Sequence, residues 1–244
     1  MLRALAFGDL ALRSWGAILS PGAGLPSFAV LGGERGVVTP VTVKGDPSPT
    51  AEWWVSGEGL ELTVAPGSNG DTPAAVDAGF DQLIAVRGEL AGDGVRDADL
   101  LGCRSARSEE LEHFRLFRDI RAWFSPSDGL AVLAVRPRRA ASHGDEWLSA
   151  TLIEGGEPQS VEEPRLSTTY SDDGLPVRAS LELWLPENDE QDEQAVAYPR
   201  RVAGEAAAPA TLHELDRLAL RVRPFRWRAG GREGAGVYLI ARAR

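Results

Sequence analysis

The stretch Val177-Arg178-Ala179-Ser180-Leu181-Glu182-Leu183-Trp184-Leu185 alternates apolar and polar side chains over nine residues. A chain with that period has one dry face and one wet face only as a β-strand. Segments of the same kind recur at Ser27–Leu31, Gly36–Lys44, Glu52–Val55, Leu60–Ala65, Gln82–Leu90, Leu100–Arg104, Leu130–Arg136, Trp147–Ile153, Leu166–Tyr170, Ala195–Val202 and Val237–Arg242. A first strand region is expected between Leu10 and Leu19. Turn chemistry lies between them: Ser20-Pro21-Gly22, Asp46-Pro47-Ser48-Pro49, Ala91-Gly92-Asp93-Gly94, Ser127-Asp128-Gly129 and Asp172-Asp173-Gly174. Proline removes a ladder donor and glycine and aspartate favour reversals, so each of these ends a strand. Short strands at roughly eight- to twelve-residue spacing imply an all-β sandwich or barrel.

Two stretches are ambiguous. In Phe114–Phe124 a strand places Phe114, Leu116, Ile120, Ala122 and Phe124 on one face, with Arg118 the exception. A helix aligns Leu111, Phe114, Phe117 and Ile120 but crowds Arg118 and Arg121 into the same stripe, so strand is preferred. Thr211-Leu212-His213-Glu214 has the form of a helix capping box and is expected to make a turn or a single helical turn entering a strand. The polar run Ser105–Glu112 divides the chain into an N-terminal barrel-like half, 1–108, and a C-terminal half, 109–244. With 244 residues the chain is long enough to bury a sizeable core in each.

Charge narrows the classes of partner. The formal net charge is −10, and every basic residue but Lys44 is arginine. Affinity for a phosphate backbone comes from neutralising cations, so nucleic acid is not expected as a partner, nor an anionic membrane surface. No segment has the roughly 20 apolar residues of a membrane span. Met1–Leu12 is broken by Gly8 and Asp9 and does not read as a signal peptide, and one cysteine cannot form an internal disulfide, so a cytoplasmic location is expected. Nothing in the sequence fixes an oligomeric state.

Catalytic side chains are scarce. His113, His143 and His213 are not spaced with one another or with Cys103 like zinc ligands, and no metal or cofactor is expected. Cys103 reads as a buried, inert thiol, and Gly230-Gly231-Arg232-Glu233-Gly234 as a hairpin rather than a phosphate cradle, because a strand and not a helix follows it. Asp97 and Asp99 stand two apart and could act as paired carboxylates. Seven tryptophans supply bulky apolar walls, of which Trp123, Trp147, Trp184 and Trp227 are the candidates to line a ligand cavity. Arg221, Arg223, Arg226 and Arg228, with Arg115, Arg118 and Arg121 upstream, could ring a barrel mouth with cations or pair with acids on neighbouring strands, and the second is preferred.

From Phe80 to the C-terminus the order of short motifs resembles the lipocalin-like tandem-barrel superfamily, which includes AttH-like proteins, carotenoid hydratases and an actinobacterial branch. The resembling stretches are Phe80-Asp81-Gln82-Leu83, Val86–Leu90, Ala122-Trp123-Phe124-Ser125, Val135-Arg136-Pro137, Leu166–Tyr170 followed by Gly174, Leu181-Glu182-Leu183-Trp184 and Gly231–Tyr238. The resemblance implies two calycin-like β-barrels or half-barrels packed together, with room for an apolar molecule. It also implies a histidine at the junction of the halves. Here Gly102-Cys103-Arg104-Ser105-Ala106-Arg107-Ser108 keeps Gly102 and Arg104 but has Ala106 where the histidine is expected, and alanine transfers no proton. That departure points to a protein binding a hydrophobic small molecule of isoprenoid, lipid or polyketide-like character. The alternative is an isomerase, hydratase or cyclase on such a molecule, with Arg104, Asp97, Asp99 and Tyr170 as candidate catalytic groups.

Overall fold

A computed structural model of the chain describes residues 1–22, 26–32, 36–67, 74–76, 79–91, 95–108, 114–140, 142–186, 198–215 and 218–243. Nine strands form the first sheet: β1 Leu2–Gly8, β2 Trp15–Ser20, β3 Phe28–Gly32, β4 Val37–Lys44, β5 Trp53–Gly57, β6 Leu60–Pro66, β7 Ala74–Val76, β8 Gly79–Ala91 and β9 Val95–Arg107. Their order is β6-β5-β4-β3-β2-β1-β9-β8-β7, and β6 also pairs with β8 from Leu60↔Leu90 to Pro66↔Ile84. That pairing closes eight antiparallel strands into a barrel, with β7 added beside the start of β8. Closure leaves the barrel no free edge.

The second sheet has ten strands: β10 Phe114–Trp123, β11 Gly129–Pro137, β12 Trp147–Glu154, β13 Glu157–Ser160, β14 Glu163–Tyr170, β15 Pro176–Trp184, β16 Arg200–Ala206, β17 Thr211–Leu215, β18 Leu218–Ala229 and β19 Arg232–Ala243. It is ordered β13-β12-β11-β10-β19-β18-β16-β15-β14, with β17 on β18. The sheet curls into a half-barrel. The segment joining β13 to β14 bridges its two edges at one point, where Val161 N–H donates to Ala150 C=O (3.0 Å) and Glu162 N–H to Trp184 C=O (2.9 Å). The all-β architecture of two lipocalin-like antiparallel units is thus present, one closed and one open.

Three apolar cores follow from the two-residue period of the strands. Leu5, Phe7, Trp53, Leu62, Phe80, Ile84 and Val86 fill the barrel. Ile120, Ala122, Leu181, Leu183, Phe225, Trp227 and Tyr238 fill the half-barrel. Between the sheets lie Ala4, Leu19, Leu83, Cys103, Phe117, Trp123, Val222 and Leu239. Strand β10 serves two of these cores. Phe117 and Trp123 face the barrel, while Ile120, Ala122 and Phe124 face into the half-barrel.

Local differences from the sequence reading have physical causes. Thr211–Leu215 is a strand, pairing Thr211↔Val222 through Leu215↔Leu218, because the first half of β18 offers an edge that β16 leaves open. A ladder of five pairs outcompetes one capped turn. Leu2–Gly8 is a strand buried from both sides, which hides the alternation that would mark it. Gly92-Asp93-Gly94 and the first three residues of Ala195–Val202 lie outside the described residues, and the rest of the latter leads into β16.

Trp227 shows how tightly the half-barrel is filled. Its indole lies flat across the neighbouring strands, over Gly204 of β16 and Gly236 of β19. A Cβ on Gly204 would sit 2.5 Å from the ring, and one on Gly236 would sit 2.7 Å from Nε1. Both positions need glycine for space rather than for backbone freedom. Gly204→Ala is expected to cost about 1–3 kcal/mol by overpacking, read as a lower urea midpoint with unchanged slope. Ala203→Ser, on the other face, should change stability little; equal effects of the two would contradict this packing.

Candidate active site

The arginine that interrupts the apolar face of β10 lies where its neighbours point. Arg118 projects with Ile120 and Ala122 toward the interior of the half-barrel and is only 8 % exposed. Its Nε donates to Glu146 Oε1 (3.2 Å), and Nη2 pairs with Glu146 Oε2. Nη1 reaches Tyr238 Oη (3.3 Å), Thr168 Oγ1 (3.5 Å) and Tyr170 Oη (3.5 Å). The Tyr238 and Thr168 hydroxyls share a 2.9 Å hydrogen bond.

Four strands or their ends bring this cluster together. Arg118 comes from β10, Thr168 and Tyr170 from β14, Tyr238 from β19, and Glu146 from the residue before β12. Ser142 caps the short 3-10 turn at His143–Asp145, and its side chain and that of Asp145 make a reciprocal capping box that fixes the approach to Glu146. Leu116, Leu166 and Ala206, all half-buried, pack against the inner core alongside.

Burial sets the chemistry of these groups. Desolvation alone would lower the Arg118 pKa, but the oxygens of Tyr238, Tyr170 and Glu146 outweigh it and hold the guanidinium charged. Burial raises the Tyr238 phenol well above its ordinary value of 10, against the pull of Arg118. At neutral pH Tyr238 is therefore a neutral hydroxyl, suited to donate a hydrogen bond and not to abstract a proton. A fixed cation, a neutral phenol and a second, 39 % exposed tyrosine (Tyr170) thus stand together beside an apolar interior.

Arg104 lies elsewhere. It is fully buried inside the closed barrel, with its guanidinium 4.7 Å from the Trp53 ring centre. Among the described residues it has no carboxylate partner. Gln82 Oε1 accepts from Nε (3.0 Å) and Nη2 (2.9 Å), the Ala51 carbonyl from Nη1 (2.8 Å) and the Pro49 carbonyl from Nη2 (2.7 Å). Desolvation lowers its pKa to about 10. These bonds tie the β4–β5 connection to the barrel wall, so Arg104 holds a loop. Ala106 also faces the barrel core.

The other candidates do not converge. Asp99 is exposed and lies 3.6 Å from Arg87 across the β8–β9 ladder. The Asp97 side chain lies outside the described residues, as do those of His113 and His143. Of the tryptophans, Trp227 is inside the half-barrel and Trp123 is between the two sheets. Trp147 is 40 % exposed, and Trp184 lies beneath the Arg165 guanidinium (5.9 Å). Of the candidate catalytic residues whose side chains are described, Tyr170 alone reaches the Arg118 cluster.

A second buried polar group joins the two sheets. Asp81 accepts both its bonds from Arg107 Nη2 at 2.8 Å, a third from Thr151 Oγ1 (2.8 Å) and a fourth from Ser105. Arg121 is bidentate to Asp119 (2.7 and 2.8 Å) and donates to Ser105 Oγ (2.8 Å). Two arginines and two aspartates balance in charge here. Cys103, 3.9 Å from Arg121, is pushed up to about 12 mainly by burial, which makes it an inert thiol at neutral pH. The space beside this network is about 10 Å³, too small for an organic ligand. Its role is to clamp the sheets.

No family model matches the chain, and no curated protein matches it. Among solved structures its fold is similar to that of kievitone hydratase from Nectria haematococca, with a TM-score of 0.54 and 7 % sequence identity, covering 99 % of this chain and 88 % of that one. That likeness is one of fold: a two-unit, lipocalin-like all-β protein.

The clamp has a pH signature. Burial alone would raise the Asp81 pKa, but Arg107 and Arg121 outweigh it and hold it below the ordinary 3.8. A carboxylate depressed by folding stabilises fully above its unfolded value and loses that contribution as pH falls through the folded one. Asp81→Asn should thus cost about 3–5 kcal/mol near neutrality and progressively less below about pH 4. Urea unfolding across that range would show it; a pH-independent loss would contradict the clamp.

Proposed function

We propose that this protein binds an apolar small molecule, of isoprenoid, lipid or polyketide-like character, through one oxygen held at the mouth of the half-barrel. The observation that carries this reading is the Arg118–Tyr238–Thr168–Tyr170 cluster, a set of hydrogen-bond donors set into an otherwise apolar interior. Burying the apolar body at roughly 25 cal/mol per Å² would drive binding, and the buried donors would select ligands that bring an acceptor. The fold neighbour's name as a hydratase, and the resemblance to carotenoid hydratase-like proteins, agree with a ligand of this kind.

A second reading is an isomerase, hydratase or cyclase acting on the same class of molecule. The pairing of a fixed cation with a neutral phenol favours it, since the two together can polarise a carbonyl or steady a developing oxyanion. Binding is preferred because Tyr238 is a poor base at neutral pH and Glu146 is held on Arg118.

A panel of isoprenoid ketones and alcohols, fatty acids and aromatic polyketides, each with its deoxygenated analogue, tests the proposal by thermal shift and calorimetry. An oxygenated member should raise the melting temperature and its hydrocarbon analogue should not. Tyr238→Phe, which keeps the ring, should weaken binding about 2- to 12-fold, the worth of one hydrogen bond. No shift from any class, or binding indifferent to Tyr238→Phe, would overturn it. Turnover of a bound member would decide for the enzyme.

A further inference from the structure

The outer face of the half-barrel carries a feature that the interior site does not use. Along β14, β15, β16 and β18 the residues Thr168, Ala179, Gly204 and Trp227 point inward, so the alternate positions form rows across the outside. One row runs Thr169↔Arg178↔Glu205↔Arg226, and the next runs Ser167↔Ser180↔Ala203↔Arg228. A third begins with Arg165↔Glu182↔Arg201. The middle row has only small side chains until Arg228. Beside the first row it leaves a trough of about 320 Å³, floored by Ser167, Ser180 and Ala203 and flanked by Arg178, Glu205 and Arg226. That is the size of a small-ligand cleft.

Its charge is opposite to that of the molecule. The chain has ten more acidic than basic residues, and exposed arginines on this sheet mostly pair: Arg165 with Glu163, Arg201 with Glu182, Arg200 and Arg232 with Glu154. Arg178 and Arg226 flank Glu205 directly on either side, yet neither makes an ion pair among the described residues. Glu205 is instead drawn to Arg228 at 3.9 Å. Two guanidinium groups, about 10 Å apart across two strand spacings, are thereby left facing a hydroxyl-lined floor. Guanidinium forks match carboxylate and phosphate oxygens, and serine hydroxyls match a polar body.

We propose that this trough binds a small organic anion, a phosphate or carboxylate carried on a hydroxylated body. Arg178 and Arg226 hold the oxyanion, and Ser167, Ser180 and Thr169 meet the hydroxyl groups. The site lies outside the half-barrel and takes a ligand of opposite polarity to the interior one, so each can fail without the other.

The test is an NMR titration of the full chain with ribose 5-phosphate, gluconate and inorganic phosphate in turn. Ribose 5-phosphate or gluconate is expected to shift the amides of Ser167, Ser180, Ala203 and Gly204, and the better of the two names the oxyanion. The double substitution Arg178→Gln/Arg226→Gln should weaken that binding on the order of tenfold or more, while Arg165→Gln leaves it unchanged. Ser180→Tyr, which fills the floor and removes no charge, should abolish it. No shift at these amides with either organic anion, an effect that inorganic phosphate reproduces at equal concentration, or affinity unaltered in the double variant would overturn the proposal.

Discussion

From Phe117 to Trp123 strand β10 has no wet face, and the remainder of the molecule is arranged around that constraint. One side, through Phe117, Asp119, Arg121 and Trp123, is buried against the closed barrel. The other, through Arg118, Ile120, Ala122 and Phe124, belongs to the half-barrel. A strand buried on both faces can carry polar groups only if each is satisfied. Asp119 and Arg121 satisfy each other and reach Ser105 of the barrel, which makes the contact between sheets specific as well as apolar. Arg118 has no such partner on its own strand, and it gathers Glu146, Thr168, Tyr170 and Tyr238 around itself.

The buried arginines illustrate how environment divides structure from function. Arg107 and Arg121 meet carboxylates in a closed, neutral network beside a space that holds at most a water. Among the described residues Arg104 meets neutral oxygens and aromatic rings, and its bonds are spent on a loop. Arg118 is the mixed case: one carboxylate, then three hydroxyls, with Tyr170 partly open to solvent. Hydroxyls exchange hydrogen-bond partners at small cost, whereas a bidentate ion pair does not. Among these groups, exchange of a partner therefore costs least at the hydroxyls around Arg118.

Much of the fold was legible from the period of the strands and the chemistry of the turns. What the sequence concealed has a pattern. Leu2–Gly8 lacks alternation because both its faces are covered, and Thr211–Leu215 follows its capping box locally but is captured by the free edge of β18. The site was half visible. Arg118 is the one residue that spoils the apolar face of Phe114–Phe124, and a charge on a dry face is a signal of function or of a buried network. Of its partners only Tyr170 was singled out in the sequence, since Glu146, Thr168, Tyr170 and Tyr238 meet only through pairings set by sheet order. Tryptophan count was a poor guide for the same reason: residue type does not tell which face of a curled sheet becomes the inside.

Native mass spectrometry of the full chain, purified without detergent and compared before and after mild organic extraction, tests the central claim most directly. A binder at the half-barrel mouth predicts an adduct of one oxygen-bearing apolar molecule that extraction removes and that is diminished in Tyr238→Phe. The bare chain mass before and after extraction, or an adduct retained in full by Tyr238→Phe, would contradict it.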